Sequence, residues 1–274
     1  MSANLKRALS RILAYPRSGN GKTGDVPTVA VGTQEARVES CASCALRPKA
    51  EGGDGRCYAR EAQVRSVESG VKRGEASVSG GGKSGFMQGV EGFIAALANR
   101  SIAARMVRFG SVGDPSVWTP MEWVAMRAAT LGAGLTPICY TSRWREVSAV
   151  HLRGQSMASC TSPAEAGDAV SAGWMATTIL PADHPRKGRF HIPGHGAIGV
   201  VCLEQSGAAA NCNSCLLCDG TRTIDHQKLP PLVVGFIDHS NAARGRANLA
   251  KMNEVKAARI ANADAASILN TTGE

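Results

Sequence analysis

Short apolar runs separated by polar stretches fill the middle of the chain. Runs with the length of buried strands lie at Val26–Gly32, Met106–Phe109, Thr136–Tyr140, Ser156–Cys160, Trp174–Leu180, Ile198–Leu203 and Leu232–Ile237. Between several of them, apolar residues recur at helical spacing, at Phe86–Ala104, Trp118–Leu131, Ser142–Leu152 and Ala164–Ala172. The pattern therefore predicts repeated strand–helix units of about 20 to 30 residues.

Repeated strand–helix units predict an α/β fold with a mostly parallel sheet and outer helices. We expect an incomplete β/α barrel, and an open doubly wound sheet is the alternative. In either architecture, functional residues gather on loops at the carboxyl ends of the strands. The predicted division is a basic N-terminal helix and linker over 1–25, a single α/β domain over 26–240 and a C-terminal helical segment over 241–274.

The first 25 residues predict a short basic amphipathic helix, because apolar residues recur at helical spacing at Leu5, Leu9, Ile12 and Leu13. They lack the continuous apolar core of a secretory signal. The longest apolar runs of the chain are far below the roughly 18 residues of a membrane span. We therefore expect a cytoplasmic protein that does not enter a membrane.

Cysteine is the most informative residue type of this chain. There are nine, and an odd number excludes complete pairing into disulfides. Thiols stay reduced in the cytoplasm, so clustered cysteines there indicate metal ligands. Cys41, Cys44 and Cys57 form a first group with the spacing C-x2-C-x12-C. A second group has the spacing C-x9-C-x2-C-x2-C and consists of Cys202, Cys212, Cys215 and Cys218.

The second group has the spacing that wraps a cubane iron–sulfur cluster, because two-residue gaps bring successive thiolates to one side of a tight turn. Zinc is the alternative metal, and unliganded buried cysteines are a third interpretation. We predict a [4Fe–4S] cluster, in one or two copies. Cys139 and Cys160 stand apart and are predicted core residues, with a place near the cluster as the alternative.

The first group supplies only three ligands, which leaves three arrangements open. A fourth ligand comes from elsewhere, or one iron is left open to bind a substrate or cofactor, or both groups hold a single cluster together. An open iron would indicate an enzyme. A fully liganded cluster would indicate electron transfer or a structural role.

Polar residues follow two of the predicted strands. Asp114 comes after the strand Met106–Phe109, and Tyr140, Ser142 and Arg143 occupy the corresponding position one unit later. Asp114 and Arg143 are the candidate catalytic residues. Asp114 would bind a hydroxyl or amino group of the substrate, and Arg143 would bind an anion. Tyr140 and Ser142 are candidates for binding a cofactor. The alternatives are that Asp114 only turns the chain and that Arg143 is solvated at the surface.

These motifs carry a resemblance to known proteins. C-x2-C with CYA, RFGSVGDP at Arg108–Pro115, CYTSRW at Cys139–Trp144 and C-x9-C-x2-C-x2-C resemble a family of phage-encoded cysteine-rich proteins. The resemblance spans roughly Gly19 to Cys218 and implies a viral iron–sulfur protein in the cytoplasm of the host cell. More distantly, the chain is similar to radical SAM enzymes, which implies S-adenosylmethionine as a cofactor. Those enzymes usually show C-x3-C-x2-C, from which this chain departs.

The charge balance adds one class of partner. The net charge is +9, from 31 Lys and Arg against 22 Asp and Glu, and permits attraction to nucleic acid. The leading hypothesis is an iron–sulfur protein with redox or radical-type chemistry on a small-molecule or macromolecular substrate near Asp114 and the Tyr140–Arg143 loop. The alternative is a metal-stabilised nucleic-acid-binding or regulatory protein without catalysis.

Overall fold

The computed structural model describes residues 11–17, 21–32, 34–47, 53, 87–221, 223–224, 227–228 and 231–238. Cys57 and the segments 1–10 and 241–274 lie outside the described residues, so the predictions made for them stay predictions. Among the described residues, no helix combines the length and the apolar character needed to cross a membrane.

The described strands are β1 (Ile12–Tyr15), β2 (Thr28–Val31), β3 (Met87–Gln88), β4 (Met106–Arg108), β5 (Thr136–Ile138), β6 (Tyr140–Thr141), β7 (Met157–Ser159), β8 (Met175–Leu180), β9 (Arg189–Phe190), β10 (Ile198–Val201), β11 (Thr223–Ile224), β12 (Gln227–Lys228) and β13 (Leu232–Ile237). The α-helices are α1 (Gln34–Cys41), α2 (Gly89–Ala98), α3 (Pro120–Gly132), α4 (Pro163–Ser171) and α5 (Cys212–Cys215). Turns of 3-10 helix lie at Pro115–Val117 and Val147–Leu152.

Two mostly parallel sheets carry the fold. Their strand orders are β3-β1-β2-β4-β5 and β6-β7-β8-β13-β10-β9. Antiparallel pairing occurs in these sheets where β1 meets β2 and β3, and where β9 meets β10. The neighbours from β2 to β5 and from β6 to β10 run parallel. The α/β class predicted from the sequence is confirmed, and the described strands do not close into a barrel.

Cys139 joins the two sheets. It stands alone between β5 and β6, so these two strands are one bent segment. The Phe109 N–H donates to the Ile138 carbonyl, and the Met157 N–H donates to the Cys139 carbonyl. The parallel arrangement therefore continues from the first sheet into the second across a single residue.

The second sheet buries both of its faces, as expected for parallel strands. On one face, Ala176 and Val233 pack in the same core as Ala166 and Ala169 of α4. The residues next to them along the strands point the other way and pack with Cys202, Leu217 and Cys218; they include Met157, Met175, Leu232 and Val234. We call this second face the inner face and residues 202–221 the cysteine loop.

Helix signals in the sequence account for the outer layer. The Thr119 side chain caps α3 by accepting from the Glu122 N–H at 3.2 Å, and the Glu122 carboxylate accepts from the Thr119 N–H. The Ser162 side chain caps α4 by accepting from the Glu165 N–H, and both helices begin with proline. Phe109, which follows β4, packs against the rings of Phe93, Trp118 and Trp123.

The N-terminal helix predicted through Ile12 and Leu13 is wrong at these residues, which lie in β1. Ile12, Leu13 and Ala14 are all 0 % exposed, and β1 is hydrogen-bonded on both edges. An amphipathic helix would leave one of its faces in water. The consecutive apolar residues serve instead to fill both faces of a paired strand.

The helix predicted at Ser142–Leu152 is also wrong in its first half. The segment begins with turns and contains 3-10 helix only at Val147–Leu152. Its first N–H groups are held by side chains, since Ser142 donates to Asp114 and Arg143 donates to Thr141. Such side-chain bonds offer the backbone an alternative to a helix.

Candidate functional site

The second cysteine group lines one pocket on the inner face of the sheet. Cys202, Cys212, Cys215 and Cys218 all contribute to its wall. The other wall residues are mostly apolar, and they are Ile138, Tyr140, Leu203, Glu204, Leu216, Leu217, Val234 and Phe236. We call it the four-cysteine pocket. It unites residues from three sequence regions that only folding brings together.

The local fold of the cysteine loop explains how close spacing produces this arrangement. The single-turn helix α5 begins at an Asn211 cap, whose side chain accepts from the Ser214 N–H at 3.0 Å. It ends at Leu216, which has the left-handed φ of 55°. This residue reverses the chain, so that Cys218 returns to the pocket wall beside Cys212 and Cys215.

Hydrogen bonds fasten the cysteine loop to the segments that precede β2 and β4. The Cys212 N–H donates to the Lys22 carbonyl at 2.9 Å. The Asn213 side chain accepts from the Arg105 N–H at 2.7 Å and donates to the Ala103 carbonyl at 2.9 Å. The loop is thus held by backbone groups far away in the sequence.

Gly220 allows the other end of the cysteine loop to pack closely against a strand. Its φ is +75°, and a Cβ there would lie 2.6 Å from the backbone nitrogen of Ser156, immediately before β7. Both the conformation and the space exclude an ordinary side chain. Glycine therefore allows the loop to lie directly against the start of that strand.

Burial disfavours the thiolate form of three cysteines in the four-cysteine pocket. Burial raises the pKa of Cys218 to about 12, and burial also raises the pKa values of Cys212 and Cys215. The neighbouring cysteines act in the same direction, since several thiolates would repel one another. A bound cation would reverse this balance, because metal coordination stabilises thiolates.

Polar neighbours of the pocket favour negative charge on sulfur. Against the larger effect of burial, hydrogen bonding to the Tyr140 hydroxyl lowers the pKa of Cys218. Lys22 and Arg108 lie near enough to lower the pKa of Cys212, against the larger effect of burial. Lys22 also pairs with Glu204 at 3.3 Å at the pocket wall. Thiolate charge would therefore meet two cations and one hydroxyl donor.

The four thiols do not meet at a single point. Among the described residues, no three His, Cys, Asp or Glu side chains stand where they could hold one metal ion. The chemistry of the donor set still fits a thiolate-bound metal group, because four soft ligands share one largely apolar pocket. Binding a single tetrahedral ion would require these side chains to move closer together.

A second pocket lies at the carboxyl ends of β6 and β7, beside the first cysteine group. Its volume is about 190 Å³. Its wall is mostly polar, and it consists of Ser43, Cys44, Ala45, Leu46, Ser142, Arg143, Arg145, Glu146, Ser159, Thr161 and Glu165. We call it the polar pocket. Cys41, the last residue of α1, lies three residues from Cys44, with its Sγ 3.7 Å from Ser40 Oγ.

Asp114 does not line the polar pocket but holds the wall residue Ser142 in place. It is 7 % exposed, and one carboxylate oxygen accepts from Thr141 Oγ1 at 2.8 Å and the Ser116 N–H at 3.0 Å. The other oxygen accepts from the N–H and the hydroxyl of Ser142, at 2.7 and 3.0 Å. The Asp114 N–H donates to Ser40 Oγ at 3.0 Å. This geometry favours a positioning role, and direct contact with a substrate stays a prediction.

Arg143 lines the polar pocket as half of an ion pair. Its Nε donates to Glu146 Oε2 at 2.6 Å, and the Ser43 hydroxyl donates to Glu146 Oε1 at 2.6 Å. The hydrogen bond to Glu146 raises the pKa of Arg143, and the same bond lowers the pKa of Glu146. On the opposite side, Arg145 pairs with Glu165 at 2.7 Å. The wall therefore carries balanced charges of both signs.

The predicted site residues divide between the two pockets. Ser142 and Arg143 share the polar pocket with Cys44, and Asp114 stands behind them. Tyr140 lies on the same strand but lines the four-cysteine pocket. None of the described residues lines both pockets. Cys44 and the second cysteine group thus line different pockets, and whether the two groups share a cluster stays a prediction.

The two isolated cysteines behave as predicted. Cys139 is 0 % and Cys160 is 2 % exposed, and both belong to the main core. Sequence reasoning missed the charged partners at both pockets, which are Lys22, Arg108, Glu146, Glu165 and Glu204. Of these, only Glu146 could have been found from the sequence, because its spacing of three residues from Arg143 is typical of an ion pair.

Comparison with known proteins gives no relative. No protein-family model, no curated protein and no solved structure matches the chain. The resemblance to phage cysteine-rich proteins and to radical SAM enzymes therefore stays an expectation carried by the motifs. What the chain does must follow from its two pockets.

Proposed function

We propose that the protein is a cytoplasmic iron–sulfur protein whose cluster is bound by Cys202, Cys212, Cys215 and Cys218. The observation that carries this proposal is the meeting of all four cysteines in one largely apolar pocket. Three cysteines within one short loop and a fourth from a distant position form the ligand set typical of a [4Fe–4S] cluster.

The spacing of the cysteines favours a cluster over zinc. Zinc more often uses two separate C-x2-C pairs, whereas Cys212, Cys215 and Cys218 follow one another at two-residue gaps. When bound, such a cluster supplies one-electron chemistry.

The residues of the pocket would support that chemistry. Val234 and Phe236 help to exclude water from the thiols. Lys22 and Arg108 offset the negative charge of the ligands. Four cysteine ligands leave no open position, which suits electron transfer rather than direct binding of a substrate.

We place the redox or radical-type reaction of the proposed function in the polar pocket. Its hydroxyl groups and paired charges suit a polar substrate, and Cys41 and Cys44 lie at its side with Cys57 as the predicted third ligand of a second cluster. Arg143 and Ser142 would contact the ligand there, while Asp114 holds the Ser142 loop in place. S-adenosylmethionine is the cofactor that the similarity to radical SAM enzymes implies.

Metal analysis of protein purified without oxygen tests the proposal. We expect a brown protein with iron and sulfide and little zinc, whose visible absorption is lost on oxidation. Cys215→Ala should remove the absorption of this cluster and lower the melting temperature, because metal-binding free energy contributes to folding. Cys160→Ala is the matched control, since this cysteine is buried in the core and does not line the four-cysteine pocket.

Two results would contradict the proposal. The first is an unchanged iron content and melting temperature in the Cys215→Ala variant. The second is a colourless zinc protein that binds DNA with a steep salt dependence, as expected for the nucleic-acid-binding alternative. The net charge of +9 is the feature behind that alternative.

A further inference from the structure

Lys22 is attached to the cysteine loop through both its main chain and its side chain. Its carbonyl accepts from the Cys212 N–H at 2.9 Å. Its ammonium group lies 3.3 Å from Glu204 Oε2 and 5.1 Å from the centroid of the Phe236 ring. Both Glu204 and Phe236 line the four-cysteine pocket. The cation is therefore held against the pocket wall by contacts with two of its residues.

Glu204 places a negative charge in the same wall, two residues after Cys202. Its Oε2 is buried, and within the described part of the chain this oxygen accepts no hydrogen bond. The ion pair with Lys22 is thus what offsets its charge. The two side chains are 34 % and 22 % exposed, so solvent and salt screen their charges incompletely. The four-cysteine pocket is therefore bordered by a cation and an anion whose effects oppose each other.

We propose that the Lys22–Glu204 ion pair sets the reduction potential of the iron–sulfur cluster in the four-cysteine pocket. This inference rests on the proposed function, because it needs a cluster at these cysteines. One-electron reduction adds a negative charge to the cluster, and charge is among the determinants of a cluster's potential. Coulomb attraction to Lys22 stabilises the reduced form and makes the potential more positive, whereas repulsion from Glu204 makes it more negative.

Midpoint potentials of two variants test the proposal, because it requires shifts of opposite sign. Each full-length protein is loaded with iron and sulfide without oxygen and titrated with dithionite, followed by visible absorption. All carry Cys44→Ala, so that the absorption reports the four-cysteine pocket alone. Lys22→Met removes the cation but keeps an aliphatic side chain against Phe236, and its midpoint should be more negative. Glu204→Gln removes the anion, and its midpoint should be more positive. The double variant should lie between these two.

Two controls separate an effect of charge from an effect of structure. Lys22→Arg keeps the positive charge and should leave the midpoint unchanged. Glu91→Gln makes the same chemical change at an exposed carboxylate in the first turn of α2, which contributes no residue to the pocket wall, and should also leave it unchanged. If the ion pair only held the cysteine loop in place, Lys22→Met and Glu204→Gln would not move the midpoint in opposite directions.

Unchanged midpoints in Lys22→Met and Glu204→Gln would overturn the inference about the ion pair, and so would shifts of the same sign. If Lys22→Met takes up no cluster, Glu204→Gln alone decides, by a midpoint that is more positive or not. Failure of both variants to load would also overturn the inference, because the pair would then serve assembly rather than potential. A chain with both residues intact that takes up no iron overturns the proposed function as well, which separates the two failures.

Discussion

The four-cysteine pocket and the polar pocket are supplied by the same stretch of chain but are opposite environments. Tyr140 reaches the first, and Ser142, two residues later, reaches the second. The first has mostly apolar walls, and burial raises the pKa values of Cys212, Cys215 and Cys218. The second is lined by hydroxyl groups and by ion pairs such as Arg143 with Glu146.

The two pockets differ in the kind of ligand that their walls suit. An apolar wall with soft ligands suits a metal group that must be shielded from water. A wall of paired charges and hydroxyls suits a polar ligand that arrives from solvent. Each environment depends on its own supporting residues, so the two pockets should fail independently when those supports are changed.

The largest expected effects come from two glycines that each support one pocket. Gly220 seats the cysteine loop against Ser156, and Gly113 stands against Val31, where a Cβ would lie 2.6 Å from the valine Cβ. Both have a left-handed φ, so alanine there should cost about 3 kcal/mol of unfolding free energy through strain and overlap. Gly134→Ala is the control, with φ of +71° and open space, and should cost about 1 kcal/mol.

Urea unfolding without oxygen and iron analysis separate the two glycine variants. Gly220→Ala should lose iron from the four-cysteine pocket, while Gly113→Ala should retain it in the fraction that folds. If both variants were no less stable than Gly134→Ala, or lost iron equally, the independence of the two pockets would be wrong.

An intermediate effect is expected at Asp114. The Asp114 carboxylate accepts four hydrogen bonds, which come from Thr141, Ser116 and Ser142. Asparagine would replace one accepting oxygen with an NH2 group, which is itself a donor and cannot accept these bonds. We expect a loss of about 2 kcal/mol in unfolding free energy, with the iron of the four-cysteine pocket retained. Asp168→Asn is the matched control: its side chain is 70 % exposed, and its change should stay below about 0.5 kcal/mol. Equal effects in the two variants would contradict the supporting role of Asp114.

The smallest expected effect depends on pH and concerns Glu146. Hydrogen bonding to Arg143 lowers the pKa of Glu146. The ionised carboxylate therefore stabilises the fold fully at pH values above the ordinary glutamate pKa of 4.5. That contribution is lost as the pH falls through the lowered pKa. Because the pair is partly exposed, Glu146→Gln should cost about 0.5–1 kcal/mol at pH 7. Unfolding curves from pH 7 to 3 should show the two proteins converging; a difference that persists at low pH would exclude this origin.

Much of the fold was predictable, because each parallel strand is a short apolar run bounded by polar residues. The run at Leu232–Ile237 is β13 residue for residue, and the one at Thr136–Tyr140 contains β5 and the start of β6. Ile12 and Leu13 misled the prediction, since a few apolar residues fit the periods of helix and strand alike. Only their burial on both faces distinguishes the two.

The site was predictable in its residue types but not in its grouping. The spacing of Cys212, Cys215 and Cys218 indicated a shared pocket, and the four-cysteine pocket contains them. Nothing local indicated that Tyr140 and Ser142 would face different pockets, because that depends on the bend at Cys139 and on where β6 ends. Long-range packing determined this division.

The bond between the Cys212 N–H and the Lys22 carbonyl also has a consequence for the order of folding. Lys22 is made before Cys212, and most of the described chain lies between them. Contacts between such distant positions close late, since a long loop must first be ordered. We therefore expect the four-cysteine pocket to be assembled only after the strands around it. On a ribosome, the nascent chain would expose Lys22 long before its partner exists, and a cofactor could be delivered only once the cysteine loop has been made.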